Sequence, residues 1–139
     1  MKKRLLLLLA AAAAVVCAVV LLGSSTEERV VDRFFENQET LQREVDACFE
    51  GGKDLSWSGN WKHVNLWPGE HDMAEYIVES RGSTYYGFYY SPDDVPLAFQ
   101  NTDVTLRSDG SGWSWTGEGD NHGTTHRITE KWFYFEASF

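Results

Sequence analysis

The stretch Leu5 to Leu22, LLLLLAAAAAVVCAVVLL, constrains this chain more than any other. It holds no charge, no proline and no amide, and a run of about 18 apolar residues is long enough to cross a bilayer as a helix. In lipid the backbone polar groups need partners within the segment, and a helix supplies them. Lys2, Lys3 and Arg4 stand directly before the run. Positive flanks stay cytoplasmic, so the residues after Ser25 are expected outside the cytoplasm, on a single-pass membrane anchor. The rival reading is a cleaved secretory signal, with Gly23 and Ser25 as the small residues before the cut and a secreted product. The usual apolar core of such signals, about 7 to 15 residues, is shorter than this run. Cys17 lies inside it after Val15 and Val16, where a lipid-modified cysteine would want a small residue before it, and reads as a small apolar helix residue.

Residues 1–25 thus form a basic start and an anchor, and 26–139 one extracytoplasmic domain of ordinary size. The chain has 12 basic residues, of which three precede the anchor; the nine that remain face 21 acidic ones, a net charge of −12. Such a surface repels phosphate backbones and anionic headgroups, which excludes nucleic acid as a partner. Beyond the anchor only Cys48 remains, so the domain has no internal disulfide and must rest on its hydrophobic core.

Ser25 to Gly52 reads as one helix. Ser25 with Glu28 makes a capping box, and Val30, Val31, Phe34, Leu41, Val45 and Cys48 form an apolar stripe that ends before Gly51-Gly52. The period then changes to two. Strands are expected over Trp61–Trp67, Met73–Ser80, Thr84–Ser91 and Asp103–Ser108, with a short extended piece at Leu97–Gln100. A hairpin connection at Asp109-Gly110-Ser111-Gly112 leads into a return strand with Trp113 and Trp115 on one face. After a glycine-rich loop over Gly117–Gly123, one last strand is expected from Thr125 to about Ser138. Short strands with no helices between them pair antiparallel. The expected fold is α+β: an amphipathic helix packed on a meander of five or six strands, flat or curled into a half-barrel. Helix-then-meander order is similar to that of cystatin-like folds, and a curled meander to that of lipocalin-like barrels. The likeness is one of architecture, without a diagnostic motif.

The chain carries six Trp, six Tyr and eight Phe, and all but Phe34, Phe35 and Phe49 follow the helix. Rings on both faces of the third and last strands mean that neither face is simply wet. Either the rings fill a small core, or one face meets a protein or envelope partner. On the second reading Tyr85, Tyr89, Trp113, Trp115 and Trp132 offer apolar contact with a hydrogen-bonding tip. A curled sheet around a small apolar ligand is the alternative, and requires a cavity of roughly 300 Å³ or more.

Catalytic and metal signatures are weak. His122 and His126 stand four apart beside Glu118, Asp120 and Asn121, but in loop and strand rather than on a helix, and without the HExxH pattern. Glu70, His71 and Asp72 follow a Pro-Gly turn, with His63 on the adjoining strand; as a small hydrolase the chain would use His71 or His122 with nearby acids. No G-x-S-x-G elbow and no phosphate loop is present. The reading that results is a non-enzymatic binding domain without metal or cofactor.

Overall fold

The computed structural model describes residues 23–55 and 59–139. The apolar run Leu5–Leu22 lies outside them, and among the described residues no helix is long and apolar enough to cross a membrane.

Helix α1, Thr26–Phe49, opens on the expected capping box. Glu28 donates its backbone N–H to Ser25 Oγ at 3.1 Å, and the Glu28 carboxylate accepts the Ser25 N–H at 2.8 Å. Val30, Phe34, Leu41, Val45 and Cys48 are its buried residues, one stripe at spacings of three, four and seven. The stripe lies on a single antiparallel sheet of seven strands: β1 His63–Trp67, β2 Met73–Arg81, β3 Thr84–Tyr90, β4 Arg107–Asp109, β5 Gly112–Thr116, β6 His122–Thr129 and β7 Trp132–Ser138.

The strand order β1-β2-β3-β7-β6-β5-β4 makes two meanders joined in the middle of the sheet. After β3 the chain leaves the centre, crosses to the far edge at β4 and works back, so β7 seats against β3. Aromatic cross-strand pairs hold that seam. Tyr90 opposes Trp132, Phe88 opposes Tyr134 and Tyr89 opposes Phe133.

Both faces of the sheet are covered. Under α1 lie Tyr76, Phe88, Tyr90, Trp132 and Tyr134 with the helix stripe. On the second face Met73, Ile77, Tyr89, Phe133 and Phe135 pack against Ala98 and Phe99 of the β3–β4 crossover. The chain's own crossover therefore meets most of the second aromatic face, which accounts for strands that are apolar on both sides.

The sheet corrects the sequence reading in three places. The expected last strand is two strands, β6 and β7, which brings the count to seven rather than five or six. Between them a two-residue turn, Glu130-Lys131, joins Thr129 to its partner Trp132. Lys131 has φ +63°, a conformation that turn sequences usually assign to glycine or asparagine. Tertiary contacts enforce it: Lys131 N–H donates to Asp94 Oδ1 at 2.7 Å, and the Lys131 carbonyl accepts from Ser91 N–H at 2.8 Å. Next, Leu97–Gln100 is not extended throughout, because Phe99–Asn101 forms a 3₁₀ turn. Finally, of Asp103–Ser108 only Arg107 and Ser108 join the ladder, although Val104 and Leu106 do pack inward on the second core.

Candidate binding groove

Alternation along β1 sends Val64 into the helix-side core and His63, Asn65 and Trp67 to the opposite face. The crossover stops short of covering that end of the second face. A groove of about 480 Å³ remains there. The row from β1 forms one wall. Tyr85, Phe99 and Phe139 form the other, with Gln100 at the rim and Ile77 at the floor.

The second wall is a ring cluster. Tyr85 stacks on Phe99 with centroids 5.6 Å apart and an interplanar angle of 22°, and Phe139 packs on Phe99 at 5.3 Å. Phe139 is 43% exposed, so its ring is available to solvent and to ligands. Among the described residues that line the groove, none is Asp, Glu, Lys or Arg. That is unusual in a domain with so strong an acidic excess.

Behind the groove lies Glu75, opposite Asn65 on β1 and Tyr89 on β3, and 0% exposed. Its Oε1 accepts the Trp67 indole N–H at 3.1 Å and its Oε2 accepts the Gln100 backbone N–H at 2.9 Å. The Asn65 side chain donates to it as well. Burial pushes the Glu75 carboxyl above its ordinary value, and the hydrogen bonds from Gln100, Trp67 and Asn65 oppose that rise without cancelling it. All three donors line the groove. One buried carboxyl thus sets an indole, an amide and a piece of backbone in the same site.

The backbone it holds is strained. Gln100 and Asn101 have φ of +54° and +53°, successive left-handed residues neither of which is glycine. Asn101 Nδ2 anchors the turn from its other side, donating to the carbonyls of His71 at 2.8 Å and Trp67 at 3.3 Å. Such strain persists only where the surroundings over-determine it, and it collects at functional sites.

The five sequence-predicted ring residues are spread over both faces. Tyr85 lines the groove. Tyr89 is 1% exposed and fully engaged: its hydroxyl accepts Leu97 N–H at 2.8 Å and lies 2.9 Å from Thr125 Oγ1. Because Thr125 Oγ1 gives its own proton to the Tyr134 carbonyl, Tyr89 is the donor of that pair. Trp115 is 5% exposed, lying over Gly123, where a Cβ would come within 2.6 Å of the indole. Trp113 is half-buried beside Phe133 on the same face. Trp132 lies on the other face, 1% exposed under α1, with its indole N–H on Gln42 Oε1 at 2.9 Å. Tyr89, Trp115 and Trp132 are core in this fold, Trp113 is partly so, and Tyr85 alone of the five is a groove residue. Sequence reasoning missed Trp67, Asn65, Phe99 and Phe139. The two-residue alternation of β1 was the available signal for the first two; nothing local marked the others.

The histidines do not converge. His71 Nδ1 pairs with Asp93 Oδ2 at 2.8 Å on the surface, beside a separate depression of about 420 Å³ between the Gly69–His71 turn and the crossover. Asp72 accepts the Gly69 N–H at 3.3 Å. His122 Nδ1 lies 2.7 Å from the Asp120 carbonyl, and His126 Nε2 lies 3.2 Å from Glu27 at the start of α1. Among the described residues no three His, Cys, Asp or Glu side chains are grouped to hold a metal ion.

No protein family, no curated protein and no solved structure matches the chain.

Proposed function

We propose that this chain is a membrane-tethered binding domain, held outside the cytoplasm by Leu5–Leu22, and that it engages its partner through the groove between β1 and the Phe99–Asn101 turn. The observation that carries this is Glu75. A buried carboxyl is expensive, and here its hydrogen bonds go to Trp67, Asn65 and Gln100, which together shape one open groove lined by no Asp, Glu, Lys or Arg. Fixing side chains and backbone before contact lowers the entropy lost on binding, which is how a small groove gains affinity. Tyr85 and Phe139 supply the apolar contact that the aromatic content leads one to expect.

The test is a photo-crosslinking residue at Ser83, on the groove rim, in intact cells. A discrete envelope component should be captured there and not from Glu36 on the exposed side of α1. Equal capture from both positions, or a crosslinked product only in the cytosol, would overturn the proposal.

A further inference from the structure

The groove also carries an inference about its ligand, one that rests on the binding reading above. We infer that it takes a neutral glycan chain, with sugar rings lying on Trp67, Tyr85 and Phe139 and hydroxyls reaching the amides of Asn65 and Gln100.

Three features of the groove lead to this. The first is charge. The domain is strongly acidic, yet the described residues that line this one groove include no Asp, Glu, Lys or Arg, and His63 is their one basic side chain. A cationic ligand would find acidic partners almost anywhere else on the surface, and an anionic one would be repelled by the whole domain. What the groove distinguishes is an uncharged ligand.

The second is the pairing of ring faces with neutral hydrogen-bonding tips. The face of an aromatic ring is electron-rich, and the C–H bonds on one side of a pyranose present a weakly positive apolar surface to it. The hydroxyls then project from the sugar's edge, where each can both donate and accept. Amides suit them, since each carries an acceptor oxygen and two N–H donors. Asn65 stands directly opposite Glu75 in the β1–β2 register, beside the buried carboxyl. Trp67 is held to that carboxyl through its indole N–H. Gln100 extends from a strained residue whose backbone Glu75 fixes.

The third is shape. On β2, Trp67 lies opposite Met73 while Tyr85 lies opposite Ser80, with a bulge between. The backbones carrying the two rings are therefore set roughly 20 Å apart along the strand. From β1 and β3 the side chains converge on the Phe99–Gln100 turn, Trp67 through Glu75 and Tyr85 through Phe99, so ring platforms flank the turn on both sides and suit linked sugars better than a single one. An extended peptide adding to the sheet would use the free backbone edge of β1, but the groove lies on the sheet's face and offers side chains.

The experiment uses the full chain in a zwitterionic, sugar-free detergent, titrated with chitohexaose and with cellohexaose while tryptophan fluorescence and the indole N–H signals are followed. A hexamer of galacturonic acid is the anionic control. At least one neutral hexasaccharide should bind saturably, shift the Trp67 indole signal and bind at least tenfold more weakly to Phe139→Ala and Tyr85→Ala, while the galacturonate shows no binding. Phe139 is exposed, so its variant keeps the test independent of folding. Absence of binding by both neutral hexamers, equal binding by the anionic one, or unchanged affinity in both variants would overturn the inference. Capture of a protein at Ser83 together with no saccharide binding would sink the glycan alone and leave the tethered binding domain standing; loss of that capture removes the binding reading itself.

Discussion

Glu75→Gln is the most informative single change in this domain. The native carboxylate accepts two partly buried donors on different oxygens, Trp67 Nε1–H on one and Gln100 N–H on the other. Glutamine has the same shape but one acceptor oxygen, so its NH₂ must face one of those donors. Leaving a buried donor unmade costs about 1–3 kcal/mol. Against this, the substitution removes a charge whose burial already disfavours it, as the raised carboxyl pKa records. The net loss in global stability should therefore be small, about 1 kcal/mol. The local loss should be larger. Two left-handed residues at Gln100 and Asn101 store roughly 1–3 kcal/mol each, and the Glu75 bond is one of the few contacts that restrain them. Native-state hydrogen exchange reads the two effects separately. Protection of the Gln100 and Asn101 amides should fall by at least tenfold in the variant, while amides at the β3–β7 seam change far less. Equal protection at Gln100 in both proteins would refute the assignment of Glu75 as the anchor of this turn. A uniform loss across the sheet would show that the carboxyl supports the core and not the groove.

The pH dependence of Glu75 has a defined sign. Its folded pKa is raised, so folding takes up a proton at this site; the group's contribution to stability is full below the ordinary carboxylate range and is lost as pH rises through the folded value. The difference in denaturant midpoint between wild type and Glu75→Gln should follow that course. Asp94 has the opposite sign. Arg127 and the Lys131 N–H hold its carboxyl below the usual range, so its contribution disappears on acidification through the lowered value, and Asp94→Asn should flatten that acid limb in a pH series of melts. Gly87→Ala should destabilise the sheet by about 1–3 kcal/mol or more, because the new Cβ would sit 2.0 Å from the Tyr76 carbonyl and 2.9 Å from the Phe135 ring; urea unfolding measures it. Trp115→Ala should cost about 3–5 kcal/mol by the same assay, since the ring is buried, whereas Trp113→Ala should cost less.

Much of the architecture is legible from residue order alone. The capping box at Ser25 and Glu28 and the stripe from Val30 to Cys48 mark α1, because a helix is specified by contacts three and four residues apart. Period-two alternation marks β1 and β2, the run of aromatic residues after a turn marks β3, and Asp109-Gly110 marks the turn that leads into β5. The apolar run Leu5–Leu22 and the acidic surplus are likewise properties of the linear chain. What only the tertiary structure decides is which strands become neighbours and what covers them. The Glu130-Lys131 turn has no local glycine signal, and Asp94, 37 residues before Lys131, holds it. The same crossover that brings Asp94 there lays Phe99 on the second face and turns Tyr89 and Trp115 into core. Glu75 reads in sequence as the polar residue of an alternating strand. It becomes the back of a groove because the strand is buried on both faces and its donors come from β1 and from a turn 25 residues later. Local spacing sets helix and strand through short-range geometry, whereas a site assembled from remote segments exists only once loop closure has brought them together.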